Sequence, residues 1–223
     1  MGDKAAKNTD AAGQVTNLWT PANIVTVTRI VLVPVFVVVL LSPWPDWFPE
    51  WPTLRMLQPW IAAALFVVLA ATDSLDGYLA RSRNEVTTFG KFMDPLADKL
   101  LVCSAMICLI SIGRLAAWIV IIIIAREFII SGFRLIAVDN GIVIAASWYG
   151  KTKTVLQIAA ILLFILKNAL AATLQPSGLF AAYCILAWLV MIAAVIMTIV
   201  SMLDYFKGAR ELFDMDNSTG SDS

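Results

Sequence analysis

From residue 21 onward the chain is a series of long apolar runs separated by short polar breaks. Thr20 followed by Pro21 offers a capping hydroxyl and then a proline at the first helical turn. The run from Ala22 to Leu41 is long enough to cross a bilayer, which takes about 20 apolar residues. Residues 43–60 hold five prolines and four tryptophans. That composition predicts an interfacial loop, its indoles at headgroup level and its prolines opposing a regular helix. Further spans are predicted over 60–82, 92–112, 115–137 and 151–174, with a long sixth run after Pro176 to about Tyr205. The fold class is therefore all-α: a polytopic membrane protein of six transmembrane helices. Residues 1–20 read as a polar tail, 21–207 as one membrane domain, and 208–223 as an acidic, serine-rich disordered tail. No cleavable signal peptide is expected, because the first 20 residues are polar and the first apolar run is too long.

Composition agrees with the runs. Only 14% of the 223 residues are charged, 60% are hydrophobic, and mean hydropathy is +0.83, whereas soluble domains carry about 25% charged residues. The formal net charge of zero says little, because placement matters more than balance in a membrane protein. Basic residues gather in the tail before the first span, in the 83–91 and 138–153 connections and after the sixth span. The other side shows only Arg55, Arg114 and Lys167. The positive-inside rule then predicts both termini in the cytoplasm. Spans two to five are each apolar in the outer half and polar in the inner half. Intramembrane charges face a bundle interior or a water-filled cavity, so the six helices are expected to surround a polar cavity open to the cytoplasm.

The densest polar stretch is 73–98. It holds Asp73 and Asp76, three apart, then Asp94 and Asp98, four apart. On a helix both spacings put the pair on one face, about 5–6 Å apart. Two bare carboxylates about 4 Å apart at an effective dielectric of 20 repel by about 4 kcal/mol, so the cluster calls for cations. Magnesium suits it, because it prefers carboxylate oxygens and completes its shell with water and substrate phosphates. Two such ions could clamp both oxygens of a phosphoryl transfer, and manganese would serve as well. Histidine is absent, which excludes a histidine-ligated zinc site and leaves proton transfer near neutral pH to carboxylates, lysines or water. Cys103, Cys108 and Cys184 lie dispersed in apolar runs, as packing residues do. Gly77 removes a side chain beside Asp76, and Ala80 is nearly as small; close ligand approach or close helix packing would each explain them. In the first span, Asn23, Thr26 and Arg29 recur every third residue. Capping and interhelical hydrogen bonds would account for the first two, but Arg29 lies two turns inside an apolar run and is assigned to the site.

The full spacing is D-x2-D-G-x2-A-R-x8-G-x3-D-x3-D, met at Asp73, Asp76, Gly77, Ala80, Arg81, Gly90, Asp94 and Asp98. It resembles the signature of the CDP-alcohol phosphotransferases at every specified position. The resemblance implies a six-helix membrane enzyme that displaces CMP from a CDP-linked lipid or alcohol. It implies that Asp73, Asp76 and Asp94 bind the metals and that Asp98 binds or borders the second metal and acts as general base. Asp76, Gly77, Ala80 and Arg81 would accommodate the cytidine diphosphate group of the CDP-lipid, with Asn23, Thr26 and Arg29 nearby. The segments 23–29, 125–134 and 150–157 are also similar to those of bacterial phosphatidylglycerophosphate synthases. That likeness implies CDP-diacylglycerol and glycerol 3-phosphate as substrates and CMP as a product. It also implies a bacterial inner-membrane location and admits a homodimer; no nucleic-acid partner is expected.

Within that branch Arg126, Arg134 and Lys151, with Lys153, would bind the acceptor's phosphate. An anionic acceptor needs such a cluster in any case, since arginine forks match phosphate oxygens. Pairing of Arg126 with Glu127, and membrane anchoring by Lys151 and Lys153, are the plain alternatives. Three rival functions keep some of these residues: a sister enzyme using inositol phosphate or phosphatidylglycerol, an intramembrane prenyltransferase, and an ion transporter. The first keeps all four aspartates. The second lacks the Gly77–Ala80–Arg81 pattern, and the third would place its carboxylates nearer the bilayer centre, often at broken helices.

Overall fold

A computed structural model describes residues 21–51, 53–83, 88–139, 148–174 and 178–219. Within those helices the side chains of 21–23, 73–83, 88–96, 98, 135–136, 138–139, 149, 172 and 208–219 lie outside the description. Among the described residues the chain forms six α-helices, one 3-10 turn and no strand. The helices are α1 (Pro21–Leu41), α2 (Thr53–Arg83), α3 (Thr88–Ser111), α4 (Ala117–Asp139), α5 (Trp148–Leu174) and α6 (Gly178–Thr219). Among the described residues, four stretches are long and apolar enough to cross a membrane: Ile24–Leu41, Thr53–Thr72, Gly150–Ala171 and Gly178–Lys207. The chain is a polytopic, all-helical membrane protein. Helices α3 and α4 were expected as spans too. Among the described residues α3 offers the shorter apolar stretch Lys99–Ser111, and α4 carries Arg126, Glu127 and Arg134 along its length. The predicted tail 1–20 lies outside the described residues.

The chain divides into two compact units, Met1–Cys108 and Leu109–Ser223. In the first, α1 and α2 pack together. The buried positions of α1 are Thr26, Arg29, Val33, Phe36 and Leu40, alternating three and four apart as a single helical stripe. The stripe is polar at one end and apolar at the other. Val31, Val35 and Val38 on the opposite face are exposed, as suits lipid contact. Phe36 packs on Phe66 with the rings tilted by 41° and their centroids 5.7 Å apart. The Gln58 amide donates to the carbonyls of Val39 and Ser42, both at 3.0 Å. These lie at the C-terminal end of α1, where the carbonyls lack helical partners. Together the contacts make the pair antiparallel.

The tryptophan-rich connection is more regular than its prolines predict. Trp44–Trp47 form the 3-10 turn, and α2 begins at Thr53 and continues through Pro59. Pro59 lies only two turns in, so the helical bond it forgoes is one to the first turn, where disruption is small. Arg55 pairs with Asp46 at 2.7 Å on the surface.

In the second unit α6 packs against both α5 and α4. Its buried stripe is Ala187, Met191, Ala194, Thr198, Ser201 and Tyr205, spaced four and three in strict alternation. Phe164 of α5 meets Trp188 edge-on at 5.2 Å, and Gln157 donates to Thr198 at 3.4 Å, so α5 and α6 run antiparallel. Arg126 touches Ser201, Ile130 packs with Tyr205, and Phe133 meets Phe206 edge-on, so α4 and α6 run parallel. Helix α6 continues to Thr219, well into the stretch from residue 208 that composition predicts as a disordered tail. The stretch Ala209–Leu212 is rich in strong helix formers and holds no proline, so nothing local stops the helix.

Gly113 ends α3 at φ +68°. Its N–H donates to the Ile110 carbonyl and that of Arg114 to the Leu109 carbonyl, both at 2.9 Å, the paired bonds of a Schellman cap. Arg114 then donates to the carbonyls of Phe164 and Ile165 at 3.0 and 2.8 Å. The Tyr183 hydroxyl donates to the Leu163 carbonyl at 2.6 Å. Three consecutive carbonyls in mid-α5 thus accept side-chain donors.

Candidate active site

The aspartate signature falls on two helices. Asp73, Asp76, Gly77, Ala80 and Arg81 lie in the last turns of α2, and Asp94 and Asp98 in the first half of α3. Both pairs are thus on continuous helix, and each pair shares a face. Their side chains, and those of Gly77, Ala80, Arg81 and Asn23, lie outside the described residues. The donor set fits a divalent metal: all-oxygen, anionic and paired at helical spacing, as magnesium and manganese prefer. The structure places Thr26 and Arg29 on the buried stripe of α1, each 2% exposed. Carrying the Phe36–Phe66 register along two antiparallel helices of equal rise brings Arg29 level with Asp73, and Thr26 level with Asp76.

The basic residues assemble differently. Arg126 occupies the buried stripe of α4, after Ile119 and Ile123 and before Ile130. It is 8% exposed, and Lys153 on α5 is 3% exposed. Glu127 joins them: its Oε1 accepts from Arg126 Nη1 at 3.3 Å and also from Lys153 Nζ. Arg126 Nη2 donates to Ser201 Oγ on α6 at 2.6 Å. Two cations and one carboxylate leave this cluster with one net positive charge. Arg126 Nε is buried without a hydrogen-bond partner among the described residues. Arg134, two turns further along α4, and Lys151, beside the cluster on α5, are exposed. The structure therefore joins Arg126 and Lys153 through Glu127 and leaves Arg134 and Lys151 at its margin.

Sequence reasoning missed α6. Thr198, Ser201 and Tyr205 are the polar members of its buried stripe. The signal was available as three polar residues at helical spacing in an otherwise apolar run, in register with Ala187, Met191 and Ala194.

A family model described as CDP-alcohol phosphatidyltransferase matches residues 19–200. The chain is 43% identical over 152 residues to the CDP-diacylglycerol–glycerol-3-phosphate 3-phosphatidyltransferase of Bacillus subtilis, covering 66% of this chain and 76% of that one. It is 38% identical over 194 residues to a probable phosphatidylglycerophosphate synthase of Mycobacterium tuberculosis, covering 87% and 82%. It is 36% identical over 192 residues to the CDP-diacylglycerol–glycerol-3-phosphate 3-phosphatidyltransferase of Escherichia coli, covering 84% and 93%. With the aspartate signature on α2 and α3 and the match running from before α1 into α6, this chain belongs to the CDP-alcohol phosphatidyltransferase family.

Proposed function

We propose that this chain transfers the phosphatidyl group of CDP-diacylglycerol to glycerol 3-phosphate, giving phosphatidylglycerophosphate and CMP. The observation that carries the reading is its likeness, over most of its length, to bacterial relatives named for that one reaction. The charge at the basic cluster supports it. Arg126 and Lys153 exceed Glu127 by one positive charge, and an acceptor bearing a phosphate needs such a surplus.

In this reading Asp73, Asp76, Asp94 and Asp98 hold magnesium, two ions by the number of carboxylates, with manganese as substitute. When bound, the metal supplies positive charge for the diphosphate and for the charge developing on the leaving CMP. Arg29, Asn23, Thr26, Gly77, Ala80 and Arg81 accommodate the CDP-lipid. Arg126 and Lys153 hold the acceptor's phosphate, with Arg134 and Lys151 drawing it in from the margin. Asp98 takes the proton from the acceptor's primary hydroxyl. The freed oxygen attacks the diacylglycerol-side phosphorus, the phosphorus–oxygen bond to CMP breaks, and CMP leaves. A hydroxyl is a weak acid, so holding both reactants in line supplies much of the rate. The site opens to the cytoplasm of a bacterium through a polar cavity, both termini lie on that side of the inner membrane, and a homodimer is compatible with this arrangement.

The test is CMP release by purified protein with CDP-diacylglycerol and magnesium, offered glycerol 3-phosphate, inositol 1-phosphate, inositol, serine or phosphatidylglycerol. Release with glycerol 3-phosphate alone, abolished by chelation and restored by magnesium, is expected. Release with another acceptor instead would keep the aspartate chemistry and refute the acceptor.

A further inference from the structure

The last described position on the buried stripe of α6 carries a polar group that no contact among the described residues satisfies. Tyr205 is 9% exposed, and its ring packs with Ile130 of α4 and with Met202. Its hydroxyl is buried and has no hydrogen-bond partner among the described residues. Phenylalanine would fill the same space without burying an unpaired donor, which proteins rarely do without a reason. One turn earlier on the same face stands Ser201, whose Oγ accepts from Arg126 Nη2 at 2.6 Å. Helical side chains lean back over the turn that precedes them, so the Tyr205 ring lies over the Ser201 turn, on the seam that α6 shares with Arg126.

Arg126 itself carries the second orphan. Its two terminal nitrogens are engaged by Glu127 and Ser201, while Nε is buried without an acceptor. The two atoms have the same need. Each is a donor in want of an oxygen, and the surrounding charge, Arg126 and Lys153 against Glu127, is positive. A phosphate oxygen supplies what both lack, and hydrogen bonds from such donors to an anion are the strong kind.

We propose that Tyr205 is a further residue of the acceptor-phosphate subsite, its hydroxyl donating to the phosphate group that Arg126 engages through Nε. The proposal rests on the assignment of the basic cluster to the acceptor's phosphate. It brings α6 into substrate recognition, with Ser201 as a positioning residue that holds the guanidinium and Tyr205 in contact with the ligand.

The experiment compares the full-length wild type with Tyr205→Phe and with Ile130→Val, which thins the packing under the ring and leaves every polar atom in place. Three quantities are measured: the KM for glycerol 3-phosphate, the KM for CDP-diacylglycerol, and the Kd for glycerol 3-phosphate without CDP-lipid. In Tyr205→Phe the acceptor KM and Kd should rise about tenfold, the worth of one hydrogen bond to a charged group. The CDP-diacylglycerol KM and kcat should stay within about twofold, and the ligand-free unfolding midpoint should not fall, because the lost hydroxyl was unpaired. Ile130→Val should move neither acceptor constant. Unchanged acceptor constants in Tyr205→Phe, an equal shift in Ile130→Val, or a shift in the CDP-diacylglycerol KM instead would each overturn the role of Tyr205. Failure of the wild type to bind or use glycerol 3-phosphate would overturn the acceptor assignment and Tyr205 with it, and that outcome is told apart because it appears in the unsubstituted chain.

Discussion

The acidic and the basic residues of this chain are built on opposite principles. The four aspartates carry one sign of charge and sit on two consecutive helices within 26 positions. The basic cluster is nearly balanced internally, and its contacts join residues 26 and 75 positions apart, Glu127 to Lys153 and Arg126 to Ser201. A group of like charges awaits a counter-ion from outside and costs stability until it arrives. A group of paired charges stabilises the fold and keeps a small surplus for a ligand. The contrast separates residues whose loss harms chemistry from residues whose loss harms structure.

The most direct test of that division is Asp98→Asn. Turnover should fall by about 10²–10⁴-fold, the usual range for a general base, while CDP-lipid binding is largely kept. In chelator the same variant should unfold at or above the wild-type temperature, because one like-charge repulsion is gone. Full turnover would remove Asp98 from the base role.

Glu127→Ala is the counterpart. It leaves Arg126 and Lys153 buried without their shared carboxylate, a loss of about 3–5 kcal/mol when a buried pair is broken from one side. Thermal unfolding should show it even without substrate, and an unshifted midpoint would mean that the ion pairs contribute nothing to the fold. Between the two arginines of α4, Arg126→Ala should raise the acceptor KM more than Arg134→Ala, since only Arg126 is buried among fixed partners. Equal effects would move the phosphate toward the margin. The smallest effect belongs to the cap that follows α3. Gly113→Ala places a Cβ on a residue at φ +68° and should cost about 1–2 kcal/mol with kcat unchanged, measured by thermal unfolding and CMP release.

The same contrast explains what could be read from the chain alone. The helices were legible because apolar runs of bilayer length leave few alternatives, and the aspartates because their spacing is local and survives without knowledge of packing. Span boundaries were less so. Pro59 reads as a helix breaker in sequence, yet it falls early enough in α2 to be tolerated. The membership of the basic cluster was only half legible. Arg126 is visible as a charge in apolar surroundings and Lys153 as one of two lysines at the start of a span, but which carboxylate or hydroxyl meets them depends on how three helices pack. Ser201 and Tyr205 look like minor interruptions of a lipid-facing run until the stripe they share with Ala194 and Thr198 is seen to be the buried one. Lys151, two residues before Lys153, reads the same in sequence and lies exposed, because two residues turn a helix about 200°.

The three carbonyls of α5 tied by Arg114 and Tyr183 have a mechanical consequence. A helix pinned at residues 163–165 cannot slide along its axis or roll about it without breaking all three ties together. What remains is tilting about the pin. Lys153 lies ten residues away, a lever arm of about 15 Å at 1.5 Å per residue. A tilt of about 5° would swing its ammonium by roughly 1.3 Å over that arm, enough to make or break a contact with a neighbouring carboxylate. The middle of α5 thus behaves as a fulcrum, and the polar end, where Glu127 holds Lys153, as the part of the helix that swings.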